Sequence, residues 1–142
     1  MSVDAVVPAI EFDGLTKFYG PHRGIEGIDL VVEPGQVFGF LGPNGAGKST
    51  AMRVLLDLHR PTSGTARILG FDSRRDTMEV RKRAAYLAGD VALFERLTAR
   101  RQLEWLGELR GGVAPDRIDA LAERVGLDLS REIGELSKGN RQ

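Results

Sequence analysis

The chain has 142 residues, one domain's worth of sequence, and its 42% hydrophobic and 28% charged composition excludes a disordered or fibrous polymer. Its 20 Lys and Arg balance 20 Asp and Glu, so no broad basic field points to nucleic acid or to an anionic membrane surface. Cys is absent, which removes disulfides, thiolate zinc sites and a cysteine nucleophile, and no apolar run approaches the roughly eighteen residues of a membrane helix. The N-terminus carries no basic, apolar leader, so a cytoplasmic setting is expected.

In chain order, Ile10 to Tyr19 and Ile25 to Val32 are predicted strands, closed by the Glu33-Pro34-Gly35 turn. Val37-Phe38-Gly39-Phe40-Leu41 is apolar on both alternating faces, the pattern of a strand covered above and below, and is expected to be the central strand. A Gly-rich loop leads into a predicted helix from Ser49 to Leu58, with Met52, Leu55 and Leu56 as its apolar positions, ending before Pro61. Pro61 to Gly64 is a turn, Thr65 to Leu69 a strand, and Asp76 or Thr77 a cap for a helix to Arg83. Ala85 to Leu87 is expected as a brief strand. Thr98 is a candidate N-cap for a helix to Leu109, stopped by Gly111-Gly112, and Pro115 opens another that Gly126 ends at Val125. Over the stretch Leu93 to Leu109, Leu103, Leu106 and Leu109 are spaced as a buried stripe, and Arg96, Arg100 and Arg101 as a solvated face; Trp105 fits either.

Chemistry concentrates in the loop. Gly42-Pro43-Asn44-Gly45-Ala46-Gly47-Lys48-Ser49 fits G-x-x-x-x-G-K-[ST], between an apolar strand pattern and a helical one. Main-chain N–H groups ring a phosphate only where no Cβ intrudes and unusual dihedrals are free, which is the use of Gly45 and Gly47. The N-terminus of the following helix adds unpaired N–H groups and positive potential. Lys48 is placed to reach the β- and γ-phosphates, Ser49 to bind magnesium through its hydroxyl, and Thr50 to meet the α-phosphate. The glycines do not follow the dinucleotide pattern G-x-G-x-x-G, so a nucleoside triphosphate with Mg²⁺ is the expected ligand. A guanine-specific Asn-Lys-x-Asp is missing: the only asparagines are Asn44 and Asn140.

These residues, with Leu58-His59-Arg60-Pro61-Thr62-Ser63-Gly64-Thr65 after them, resemble the nucleotide-binding domain of an ATP-binding cassette (ABC) transporter over nearly the whole chain. The resemblance implies an α/β fold, a P-loop NTPase core with an antiparallel β part and a helical subdomain, incomplete at the C-terminus. It places an ATP-binding core at 10–89 and a helical subdomain at 90–142. Tyr19 matches the aromatic that stacks on adenine in this family. Leu136-Ser137-Lys138-Gly139-Asn140-Arg141-Gln142 resembles the ABC signature, with Lys138 and Asn140 where Gly and Gln are usual, a variant similar to those of bacterial drug- and polysaccharide-type exporters. By that likeness Ser137 and the Gly139 N–H contact the γ-phosphate held by a second ATP-binding subunit in a head-to-tail dimer. Membrane-spanning permease subunits are the other implied partners, holding the protein peripherally at the inner face of the cell membrane for solute export. A non-hydrolysing nucleotide-binding fragment and a non-transport ABC ATPase are the alternatives.

The chain also departs from the family. Ala88-Gly89-Asp90 stands where a magnesium-binding Gln is usual, leaving Asp90 as a possible substitute. The Walker B strand, four apolar residues and then Asp-Glu, comes after the signature in the family, and these residues stop at Gln142; Val54-Leu55-Leu56-Asp57 is a decoy within the helix after the loop. His22 and His59 precede the signature and read as surface or turn residues. Without the groups that orient water and charge around the phosphate, these 142 residues are expected to hydrolyse ATP poorly, with a central strand whose exposed edge makes them aggregation-prone.

Overall fold

The computed structural model describes residues 6–89 and 92–141, so Asp90 and Gln142 lie outside the described residues. Where length suggests one domain, the chain divides after Ala85 into two compact units.

The first unit is built on a four-stranded antiparallel sheet of order β2-β1-β3-β4: β1 (Ile10–Tyr19), β2 (His22–Val32), β3 (Ser63–Ile68) and β4 (Phe71–Asp72). A tight turn at residues 20–21 folds β2 back on β1, pairing Tyr19 with His22 and Ile10 with Val32; β3 takes the other edge of β1, pairing Ile10 with Ile68. The pairing slips between Phe12 and Leu15, beside Gly14, whose N–H donates to Asp29 Oδ1 at 2.6 Å. That irregularity turns both Phe12 and Leu15 inward, although they stand three positions apart and a regular strand would point them to opposite faces.

Helix α1 (Lys48–Leu55) lays Ala51, Val54 and Leu55 on the core formed by Phe12, Leu15, Ile25, Ala66 and Ile68, with Val80 of α2 (Thr77–Arg83). Met52, expected among its apolar contacts, faces outward. The helix stops at Leu55 rather than Leu58 because Asp57 takes a left-handed backbone, φ 53°, and the N–H groups of Leu58 and His59 both turn back to Arg53 O. Buried Ser73 donates its hydroxyl to Leu55 O at 2.7 Å, satisfying one of the carbonyls left over at that helix end. Asp76 is the N-cap position of α2, as expected, but its carboxylate accepts instead from Asp72 N.

Two predicted strands are not formed. Residues 36–43 are irregular, with Val37 and Leu41 exposed and only Phe40 packed on the core; residues 84–88 are also irregular. A strand is a strand only when another backbone takes up its N–H and C=O groups, and among the described residues none pairs with 37–41 or 85–87.

In the second unit, Thr98 caps α3 (Ala99–Glu108), its hydroxyl accepting from Arg101 N, and α4 (Pro115–Val125) opens on Pro and closes on Gly126 at φ 64°. Residues 95–100 and 129–134 are joined by main-chain hydrogen bonds, among them Ala99 N to Arg131 O and Ile133 N to Leu97 O. A single 3-10 turn (Ile133–Glu135) and the short helix α5 (Lys138–Arg141) complete the unit. The small core is Ala99, Ile133 and Leu136, supported by Leu93, Leu127 and Leu129. The expected buried stripe of α3 is not buried: Leu103, Leu106 and Leu109 are exposed, and the inward positions are Ala99, Gln102 and Gly107. The inward side is set by the hydrogen-bonded segment 129–134 and by Gln102 Oε1, which accepts from Phe94 N. Trp105 meets Phe94 edge-on at 5.3 Å. Arg100 pairs with Asp119 of α4 at 2.5 Å, a hydrogen bond that raises the guanidinium pKa.

Candidate functional site

The loop that joins residue 41 to α1 shapes itself with short-range bonds. Ala46 N donates to Pro43 O, and Gly45 and Gly47 have φ 84° and 86°, a region that L side chains enter at a cost. Gly47 is also fixed by space: a Cβ there would lie 2.3 Å from Gly24 O and from Ile25 Cγ2 of β2. The loop therefore sits directly on that strand, and α1 begins at the next residue with no side-chain cap, leaving its first N–H groups open toward the loop. Lys48 folds its ammonium back across the loop, donating to Gly42 O at 2.6 Å and Pro43 O at 2.7 Å, which places a positive charge at the loop's mouth.

A cleft of about 390 Å³ opens there, lined by Tyr19, Arg23, Gly24, Asn44, Gly45, Gly47, Lys48, Ser49 and Thr50. The structure thus gathers Tyr19, from the end of β1, with the loop and the start of α1. Of the expected residues, Gly42, Pro43 and Ala46 support the loop through main-chain bonds and close contact instead of lining the cleft. Ser137 and Gly139 belong to the second unit. There Ser137 Oγ accepts from Asn140 N, and Arg141 anchors the segment on Leu136 O and Gly134 O.

Sequence reasoning missed three neighbours of the cleft. Gly24 is squeezed, since a Cβ would lie 2.9 Å from the Tyr19 ring and 3.2 Å from Thr50 Cγ2. The signal was available, because a Gly inside a strand marks a close approach. Arg23 carried no signal beyond being a basic strand residue. His59, read as a surface or turn residue, does lie in a turn, but its Nδ1 is 2.5 Å from Tyr19 Oη.

The donor set fits a polyphosphate. The cradle exists only while position 47 lacks a Cβ, open main-chain donors face it, and an ammonium stands at its rim. For a hard divalent cation the Ser49 hydroxyl is the right class of ligand; among the described residues no three acidic, His or Cys side chains gather.

Residues 25–142 match the model of a family described as ABC transporter. The chain belongs to the ABC transporter family. It is 41% identical over 127 residues to the daunorubicin/doxorubicin resistance ATP-binding protein DrrA of Streptomyces peucetius, covering 87% of this chain and 38% of that protein. It is 36% identical over 118 residues to the bacitracin transport ATP-binding protein BcrA of Enterococcus faecalis, covering 83% of this chain and 38% of that one. Among solved structures, a putative ABC transporter ATP-binding protein from Pyrococcus furiosus superposes with TM-score 0.76 at 27% identity, covering 92% of this chain and 64% of the other. The α/β P-loop reading of the fold therefore stands, the antiparallel sheet and helices being those of ABC ATPase domains. The chain spans well under half the length of the two curated relatives. Among the described residues no helix is long and apolar enough to cross a membrane.

Proposed function

We propose that this chain is a portion of an ABC transporter's ATP-binding subunit, and that its loop grips the phosphates of ATP with Mg²⁺. The observation that carries the reading is the single cleft in which Tyr19, the loop glycines and the Lys48 ammonium meet. In this reading the Lys48 ammonium exchanges the Gly42 and Pro43 carbonyls for β- and γ-phosphate oxygens, where a charge-assisted contact is stronger. The amides of Gly45, Ala46 and Gly47, with Asn44 just before them, surround the β-phosphate, and Thr50 meets the α-phosphate. Ser49 would hold the cation, which when bound neutralises charge on the terminal phosphates. Tyr19 stacks on adenine.

We further take 10–89 as the ATP-binding core and 90–142 as the helical subdomain. Ser137 and the Gly139 N–H then serve a γ-phosphate bound by a second subunit in a head-to-tail dimer, and permease subunits in the cell membrane receive the closure for solute export. The resistance and transport named for the relatives support export.

Titration of ATP into the folded chain and into Lys48→Ala tests the proposal. Loss of a charged hydrogen-bond donor should raise Kd by about 10- to 100-fold. Equal affinity in the two proteins would place the nucleotide elsewhere.

A further inference from the structure

His59 has no role in gripping the phosphates, yet it touches the residue on which the base is to stack. Its Nδ1 and Tyr19 Oη share a hydrogen bond at 2.5 Å, and the two rings meet edge to face, 5.6 Å between centroids and 81° between planes. The chain around His59 is anchored. The His59 N–H is bound to Arg53 O at the end of α1. Three residues later the chain is sewn to the end of β1: Thr62 N donates to Thr16 O, and Phe18 N donates to Thr62 Oγ1. The main chain on either side of the imidazole is thus fixed to helix and strand, and the imidazole reaches the phenol end of Tyr19. The edge contact keeps the imidazole off the faces of the phenol ring; Lys17 Nζ stands 5.0 Å from the ring centroid over one of them, and the ring lines the cleft at the loop.

We propose that His59 is a positioning residue for the purine: by holding the Tyr19 hydroxyl it fixes the plane of the ring that receives the base, without itself touching the phosphates. This rests on the adenine-stacking reading of Tyr19. A stacking platform whose orientation is already set loses less freedom when the ligand arrives, so the benefit belongs to the base and not to the triphosphate.

The experiment compares ATP with inorganic tripolyphosphate, which has no base, as ligands of the chain and its variants. His59→Ala should weaken ATP about three- to tenfold, the worth of one hydrogen bond, and leave tripolyphosphate unchanged. Tyr19→Phe, which keeps the ring and loses the hydroxyl, should do the same, and the double variant should be no weaker than the weaker single. His59→Gln, which keeps a polar group of similar reach, should recover part of the loss. Should His59→Ala fail to fold, Tyr19→Phe alone decides by the same comparison. Unchanged ATP affinity in these variants, or an equal loss for both ligands, overturns the positioning role. Tyr19→Ala separates the two layers: if it weakens ATP while His59→Ala does not, stacking stands and the proposal falls; if it leaves ATP binding intact, stacking falls and the proposal with it.

Discussion

The loop from Gly42 to Ser49 and the five residues before it are equally distinctive in sequence, but only one of them takes its expected form. The loop closes with bonds between residues at most six positions apart, Lys48 to Gly42 and Pro43 and Ala46 to Pro43, and rests on a strand that is present. Val37 to Leu41 has the composition of a buried strand, yet every hydrogen bond that would make it one must come from a distant backbone, and among the described residues none pairs with it. A phosphate cradle can be complete in a short stretch of chain; a parallel strand cannot.

The contrast can be broken from either side. The largest effect is expected at Gly47→Ala. A Cβ there meets Gly24 O and Ile25 Cγ2 at 2.3 Å, on a backbone of φ 86°. Left-handed strain and overpacking together should cost about 2–5 kcal/mol, read by denaturant unfolding, and abolish nucleotide binding. A smaller effect is expected in the other region: Val37→Lys with Leu41→Lys should leave stability within about 0.5 kcal/mol, because both side chains are already exposed. Light scattering of the same pair should fall, since the exposed apolar segment is the expected route to association. Unchanged scattering would place that route elsewhere.

The smallest effect lies outside both regions. On α2, Glu79 bonds Lys82 at 2.7 Å and Arg83 at 2.5 Å, and these cations, Lys82 foremost, lower its carboxyl pKa. A lowered folded-state pKa stabilises above the ordinary carboxylate range and is lost as pH falls through the folded value. Glu79→Gln should therefore flatten the acid limb of a Tm-against-pH curve slightly, by less in high salt because the pairs are exposed.

Legibility in the sequence divides along the same line. The bounds of β1 and α2, the Thr98 cap, Pro115 and Gly126 at the ends of α4, and the loop glycines are local features, and they stand where patterning puts them. The early end of α1 depends on Asp57 at positive φ, which Asp tolerates but does not announce. The outward stripe of α3 arises because residues 129–134, far along the chain, set which side of the helix faces in. At the cleft, the loop is legible from its motif and Tyr19 through the family resemblance, whereas His59 and Arg23 arrive through the pairing of β1 with its neighbours, which no single segment encodes.

Everything proposed for the cleft requires that the main-chain amides of the loop bind phosphate. A titration of the ¹⁵N-labelled chain with ATP and Mg²⁺, monitored amide by amide, tests it most directly. The largest saturable shifts are expected at Gly45, Ala46, Gly47 and Lys48, reproduced in part by tripolyphosphate. Silent loop amides in a folded sample, with shifts elsewhere or nowhere, would contradict it.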